Sequence, residues 1–142
     1  MIAQVMHLLQ KKNIFMSEGR KNEFPQQTGS KIIYVASPYA GDVEQNLAFA
    51  KAACRDVIAQ GHTPIAVHLL YPQFLDDNSP VEREIGLQLG RNILRCCDEL
   101  WAYGGRISTG MQVEIAAAQA MGIPVQYVPE LQQDQCRSIQ MK

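Results

Sequence analysis

One stretch decides the fold: Leu100-Trp101-Ala102-Tyr103-Gly104-Gly105-Arg106-Ile107-Ser108-Thr109-Gly110-Met111-Gln112-Val113-Glu114-Ile115. Its first four residues are apolar and typical of a strand, the glycines permit a sharp turn, and the alanine-rich segment Ala116–Met121 that follows indicates a helix. Backbone N–H groups at the start of a helix lack partners and favour anions. We interpret Glu114 as lying in the first helical turn, where the helix dipole would help to keep it ionised. The stretch therefore predicts an anion-binding turn beside a carboxylate nucleophile.

The same alternation of strand and helix extends through the chain. Ile32–Ala36 is a continuous apolar run typical of a strand buried on both faces of a parallel sheet, and Thr63–Leu70 and Ile123–Val128 are interpreted as further strands. Between them, Asp42 predicts the start of one helix and Ser79, followed by Pro80, the start of another. This order predicts a three-layer α/β fold, a Rossmann-like (flavodoxin-like) parallel sheet of about four to five strands with helices on both faces.

In such a sheet, ligands bind outside the carboxyl ends of the strands. Three predicted strand ends carry polar, aromatic or flexible residues, which makes them candidates for one common cleft. These candidates are Ser37, Pro38, Tyr39 and Gly41 after the first strand, His68 in the second, and Ser108, Thr109, Gly110, Met111 and Glu114 after the third.

Composition narrows the possible functions. The chain has 142 residues, with 46% hydrophobic and 19% charged, an ordinary globular balance. A formal net charge of -1 offers no basic surface for nucleic acid, and no run approaches the roughly 18 apolar residues of a membrane span. The four cysteines lack the spacing of zinc ligands, so we expect no metal site and a reducing cytoplasm.

We expect one domain with two flanking segments. Residues 1–30 are interpreted as an N-terminal extension or linker, residues 31–128 as the domain, and residues 129–142 as a C-terminal tail. The apolar start precedes Lys11 and Lys12, which is the wrong order of charge for a secretory signal. Residues 1–15 are either an extended reading of the start codon or a short helix packed on a partner.

At this point the sequence resembles a family, the DUF4406 group, which is similar to the superfamily of nucleoside 2-deoxyribosyltransferases and 2′-deoxynucleoside 5′-monophosphate N-glycosidases. The resemblance covers about residues 31–128. It rests on Tyr34-Val35-Ala36-Ser37-Pro38-Tyr39, Pro64-Ile65-Ala66-Val67-His68-Leu69-Leu70, Phe74-Leu75-Asp76-Asp77, Cys97-Asp98-Glu99-Leu100-Trp101 and the Ile107–Ile115 turn.

The resemblance implies specific roles in the turn. Glu114 matches the glutamate that attacks the anomeric carbon of the sugar, and Ser108 matches the serine that contacts the 5′-phosphate in the N-glycosidase branch. A nucleotide is therefore favoured over a free nucleoside. The resemblance also implies a homodimer or higher homo-oligomer. No metal or organic cofactor is expected, because a carboxylate can itself form and release a glycosyl intermediate.

One position departs from the superfamily. Its enzymes use an aspartate for proton transfer at the base, eight residues before an aspartate that matches Asp98, and Gly90 stands there in this chain. Either another group, such as Glu82 or His68, protonates the leaving base, or the fold has become a binder. The ordinary pKa of histidine, near 6.5, would suit His68 for proton transfer.

The remaining candidates each have a functional and a structural interpretation. Tyr39 either stacks on a base or covers the edge of the sheet, and Asp98 either binds substrate or turns the chain. Arg83, at the start of a helix after a long loop, is the arginine that we favour for a phosphate, ahead of Arg91 and Arg106.

Two functions follow. The first is a nucleotide N-glycosidase or deoxyribosyltransferase-like enzyme with Glu114 as nucleophile and His68 as a candidate for proton transfer. The alternative is a nucleotide-binding module of the same fold without turnover. A dinucleotide-binding oxidoreductase is disfavoured because no GxGxxG follows the first strand, and no GxxxxGK[ST] is present for a P-loop NTPase.

Overall fold

The computed structural model describes residues 29–131, which form a parallel sheet and its covering helices. In chain order the elements are β1 (Ile32–Ala36), α1 (Val43–Ala59), β2 (Thr63–Ile65), α2 (Pro80–Arg95), β3 (Glu99–Tyr103), α3 (Thr109–Ala120) and β4 (Val125–Val128). The predicted extension up to residue 28 and most of the predicted tail lie outside the described residues. Within residues 29–131, no helix has both the length and the apolar character needed to cross a membrane.

The sheet has four parallel strands in the order β2-β1-β3-β4. Tyr34 in β1 lies opposite Ile65 of β2 on one side and Leu100 of β3 on the other. This is the flavodoxin-like strand order, and it confirms the predicted parallel α/β sheet. From β1 the chain adds β2 on one side of the sheet and then adds β3 and β4 on the other side. The carboxyl ends of β1 and β3 therefore border the crevice where such folds bind ligands.

Helices cover both faces of the sheet. Successive residues of a strand point to opposite faces, so Ile33 and Val35 pack against α1, while Tyr34 and Ala36 lie on the face covered by α2 and α3. Burial of these two apolar clusters is the main force that holds the three layers together. The predicted three-layer architecture is confirmed.

The helix starts follow the predicted capping residues. Asp42 accepts a hydrogen bond from the Gln45 N–H at 3.2 Å, and the Ser79 hydroxyl accepts one from the Glu82 N–H at 3.4 Å. Such caps satisfy backbone donors that have no acceptor within the helix, and each is worth about 1 kcal/mol. After α1, Gly61 adopts a φ of 87°, the left-handed conformation expected of a residue that ends a helix.

The second strand is shorter than the sequence indicates. We expected a strand from Thr63 to Leu70, but β2 ends at Ile65 and the chain turns into a short 3-10 helix, Val67–Leu69. Pro64 has no N–H to donate, and β2 is an edge strand that pairs only with β1 among the described strands. As a result, His68 lies in this helical turn rather than in a strand.

Candidate active site

Glu114 lies partly buried on α3, on the side that faces the sheet. Its Oε1 accepts a hydrogen bond from the Tyr34 hydroxyl, at 3.1 Å, and Tyr34 itself is buried in β1. Burial raises the pKa of the Glu114 carboxyl to about 7, although the hydrogen bond from Tyr34 acts in the opposite direction. At neutral pH, Glu114 is therefore divided between its ionised and protonated forms.

The interpretation that Glu114 lies in the first helical turn is wrong. Helix α3 begins at Thr109, so Glu114 is in the second turn, and the first turn carries no acid. The favourable effect of a helix dipole on negative charge fades within the first turn. Burial therefore determines the pKa of Glu114, and its direction is opposite to the one expected from the sequence.

A cavity between α2 and α3 brings Glu114 together with residues from three elements. Glu114 and Arg91 are the two charged residues among those that line it, and Gly90 faces the same space from α2. A Cβ atom at Gly90 would lie 3.6 Å from the Tyr34 hydroxyl oxygen, in ordinary van der Waals contact. The other lining residues are Tyr34, Val67, Gly86, Leu87, Leu94, Val113 and Ala117.

The N-terminus of α3 forms the second part of the site. The Ser108 hydroxyl caps the helix by accepting a hydrogen bond from the Met111 N–H at 3.3 Å. The N–H groups of Thr109 and Gly110 are in the first turn, where a helix supplies no acceptor, and both residues are exposed. Nothing lies within 4 Å of a Cβ built on Gly110, so the space over this end of the helix is open. Small anions are favoured at such a helix end.

Met111 packs and caps at this end of the helix. Its side chain is 1% exposed and belongs to the apolar core, and its N–H donates to the Ser108 hydroxyl. The predicted role of Met111 in substrate binding stays a prediction.

His68 and Ser37 form a hydrogen-bonded pair beside the end of β1. The Ser37 hydroxyl and His68 Nε2 are 2.8 Å apart, and the ring of Tyr39 meets the imidazole edge-on at a centroid distance of 6.3 Å. Burial lowers the pKa of His68 to about 4, so the imidazole is neutral at pH 7. Pro38 is partly buried beside this pair, and Gly41, with a φ of 104°, is exposed at the following turn. None of these residues lines the cavity at Glu114.

Asp98 and Arg83 are not brought to the site. The Asp98 carboxylate accepts a hydrogen bond from the Ile32 N–H at 2.7 Å. Ile32 is the first residue of β1, so this contact lies at the amino ends of the strands, away from the carboxyl ends that border the site. Arg83 is exposed, and its Nε atom lies 3.9 Å from Oδ1 of Asp77. The substrate-binding roles of Asp98 and Arg83 stay predictions; in the structure, Asp98 anchors β1 and Arg83 is exposed.

Of the residues at the cavity, one was missed from the sequence and another was ranked too low. Tyr34 was interpreted as one more apolar residue of a buried strand, although the alternation along β1 places its hydroxyl on the face that carries α3. Arg91 was ranked below Arg83, yet its position next to Gly90 brings it to the cavity wall. Within residues 29–131, no group of three or more potential metal-binding side chains is found.

Comparisons with known proteins agree with this fold. Among solved structures, the 2-deoxyribosyltransferase of the psychrotolerant bacterium Bacillus psychrosaccharolyticus is similar, with a TM-score of 0.54, 21% sequence identity, and coverage of 72% of this chain and 77% of that one. At this identity the likeness is one of fold. No curated protein matches the sequence.

A family model does match, over residues 31–128, and its description is a domain of unknown function, DUF7768. The matching family is thus DUF7768 rather than the DUF4406 group indicated by the motifs. Since the match spans well over half of the sequence, this chain belongs to the DUF7768 family.

Proposed function

We propose that this protein cleaves the N-glycosidic bond of a nucleotide, with Glu114 as the nucleophile. The observation that carries the proposal is the partly buried Glu114 carboxyl, held by the Tyr34 hydroxyl at the wall of a cavity. Among the described residues, its Oε2 atom has no hydrogen-bond partner and is available for chemistry. The similar solved structure is that of a 2-deoxyribosyltransferase, which supports a reaction of this class.

The reaction proceeds by double displacement. An ionised Glu114 oxygen attacks C1′ of the sugar, the bond from C1′ to the base breaks, and a glycosyl ester forms on the enzyme. Water, or a second base, then attacks C1′ and releases the carboxylate. Tyr34 orients Glu114 through the hydrogen bond to Oε1. Because only the ionised carboxylate attacks, the pKa of about 7 makes the rate increase as the pH rises through neutrality.

The N-terminus of α3 would hold the phosphate of the nucleotide. The Ser108 hydroxyl and the N–H groups of Thr109 and Gly110 offer donors at an exposed, positive helix end. Glu114 lies six residues after Ser108, a rise of about 9 Å along the helix axis. That separation is comparable with the length of a nucleoside monophosphate. Ser37, Pro38, Tyr39 and His68 lie at the neighbouring end of β1, outside the lining of the cavity at Glu114.

A second candidate function is nucleotide binding without turnover. The observation that favours it is Gly90, since the cavity wall has no acid at the position facing Tyr34. His68 does not replace that acid, because its pKa is lowered to about 4 and it is already hydrogen-bonded to Ser37. A protein of this kind would keep its ligand without cleaving it.

One screen separates the two functions. Wild-type protein and the Glu114→Ala variant are incubated with ribonucleotides and deoxyribonucleotides, free base is measured by chromatography, and melting shifts are recorded in parallel. The enzyme hypothesis predicts base release by the wild type that the variant lacks. The binding hypothesis predicts a melting shift without base release. Equal base release by the two proteins would refute Glu114 as the nucleophile.

The proposed reaction needs no metal or organic cofactor, because the carboxylate supplies the covalent chemistry itself. We further propose a cytoplasmic location, which fits the free thiols of Cys54, Cys96 and Cys97.

A further inference from the structure

The cavity at Glu114 poses a problem for the leaving group, and the following inference rests on the proposed glycosidase function. A neutral base is a poor leaving group, because it departs as an anion unless a proton reaches it as the bond to the sugar breaks. Enzymes that cleave glycosides commonly use two carboxyl groups, one as the nucleophile and one as the acid. A group near this cavity would therefore have to supply the proton that a neutral base needs as it leaves.

The residues that line the cavity contain a single carboxyl group, that of Glu114. It cannot attack C1′ as a carboxylate and donate a proton to the base in the same step. The other charged residue of the lining, Arg91, is not a proton donor, because arginine side chains do not give up their proton in proteins. Gly90, which faces the Tyr34 hydroxyl from α2, has no side chain at all.

The neighbouring ionisable groups do not supply the proton either. Glu82 accepts a hydrogen bond from the Asp76 N–H in the loop before α2 and does not line the cavity. His68 is neutral and bonded to Ser37, and it too lies outside the cavity lining. The Tyr34 hydroxyl already donates its proton to Glu114.

Two further groups lie close to Tyr34, and neither is placed to act as the acid. The phenol of Tyr71 and the thiol of Cys97 both interact with Tyr34, but neither residue lines the cavity. Burial raises the pKa of the Cys97 thiol to about 11, which makes it a poor acid at neutral pH. Among residues 29–131, the cavity thus has a nucleophile without a separate acid.

We propose that the substrate is a nucleotide whose base carries a positive charge before cleavage, such as a pyridinium or a 7-alkylated purine, and that Gly90 sets this preference. The apolar wall formed by Val67, Leu87, Leu94 and Val113 would contact the base. Arg91 would face the sugar hydroxyls as the cationic group of the wall.

The step balances without an acid. Glu114 donates an electron pair to C1′, and the electron pair of the bond between C1′ and nitrogen returns to the ring and cancels its positive charge. The base leaves neutral and needs no proton. Water then attacks C1′, the ester bond to Glu114 breaks, and one proton is released to solvent. The overall reaction converts a cationic nucleotide and water into a sugar phosphate, a neutral base and a proton.

The test compares two substrates that differ by one methyl group. 7-Methylguanosine 5′-monophosphate carries the positive charge and guanosine 5′-monophosphate does not, and each is used as the ribonucleotide and the 2′-deoxynucleotide at pH 6.5, where the methylated base keeps its N1 proton and Glu114 is still partly ionised. Base release by Glu114→Gln provides the background rate for each substrate. We expect wild type to release 7-methylguanine at least about 100-fold faster than guanine, the lower end of what a general acid contributes.

Two variants at Gly90 test its role directly. Gly90→Asp places a carboxyl group beside Tyr34, and we expect it to raise guanine release at least about 10-fold. Gly90→Asn has nearly the same shape but is not an acid, so it controls for the added bulk, and Gly90→Asp should release guanine at least about 10-fold faster than Gly90→Asn.

The outcomes separate this inference from the proposed function. Release of both bases at rates within about threefold of each other, with both rates abolished in Glu114→Gln, would overturn the preference while the glycosidase function stands. Release of neither base above background would refute the glycosidase function itself, and the inference with it. If Gly90→Asp fails to fold, the comparison of the two substrates on wild type still decides.

Discussion

The carboxyl group of Glu114 makes the stability of the fold depend on pH. Its pKa is about 7 in the folded protein and near 4.5 in the unfolded chain, so folding favours the protonated form. The corresponding stability is fully present below about pH 4.5 and is lost as the pH rises towards 7. Glu114→Gln keeps the oxygen that accepts from Tyr34 but cannot ionise.

As the pH rises from about 5 to about 8, we therefore expect the free energy of unfolding of Glu114→Gln to increase relative to that of wild type, by on the order of 2 kcal/mol. Urea unfolding at the two pH values measures the difference. Glu84→Gln, at an exposed residue of α2, is the matched control. If the difference in free energy of unfolding between Glu114→Gln and wild type is the same at both pH values, the buried, protonated carboxyl is contradicted.

Asp98 has a structural role that can be separated from the site. Its hydrogen bond to the Ile32 N–H fixes the start of β1. Asp98→Ala should lower the free energy of unfolding by about 1 kcal/mol and leave nucleotide binding unchanged. Asp77→Ala, which removes only the long contact with Arg83, should change neither quantity. Loss of nucleotide binding in a well-folded Asp98→Ala protein would contradict a purely structural role and support the predicted substrate-binding role.

At the scale of elements, α3 combines a cap with an open helix end. Gly110→Ala should raise the free energy of unfolding by up to about 1 kcal/mol, because alanine is the better helix former and its methyl group meets no neighbour. The same methyl group would project into the space that a phosphate needs.

We expect Gly110→Ala to weaken nucleotide binding at least about 10-fold in a titration, while its melting temperature stays equal or rises. Gln119→Ala, near the far end of α3, should leave binding unchanged. Unchanged affinity in Gly110→Ala would exclude the N-terminus of α3 as the phosphate site.

The elements also show which parts of the structure could be predicted. Runs of apolar residues located β1 and β3, and the Ser-Pro signal located the start of α2, because these features depend on local chemistry. Helix α3 begins at Thr109, earlier than the sequence indicated. The end of β2 depended on the 3-10 turn that begins at Val67, and the pKa of Glu114 depended on burial against β1. The contact between Glu114 and Tyr34 joins residues 80 positions apart, so local patterns could not reveal it.

For the whole molecule, the expected homo-oligomer remains a prediction. Pro80, Val81 and Ile85 line an apolar hollow on α2, and Val81 is 71% exposed. An apolar surface of this kind is typical of a contact between subunits. We expect sedimentation velocity to show a dimer or larger assembly that Val81→Lys shifts towards monomer, with Gln119→Lys as the control. A wild-type monomer at tens of micromolar would contradict this prediction.

The central claim is that the Glu114 carboxylate attacks the sugar, and the rate of base release tests it most directly. Wild type, Glu114→Gln and Glu84→Gln are compared at pH 8, where Glu114 is largely ionised, on a nucleotide that the wild type cleaves. We predict that Glu84→Gln stays within about twofold of wild type and that Glu114→Gln is at least about 1,000-fold slower, because an amide is not an effective nucleophile. A Glu114→Gln protein that releases base within about tenfold of the wild-type rate would contradict the account.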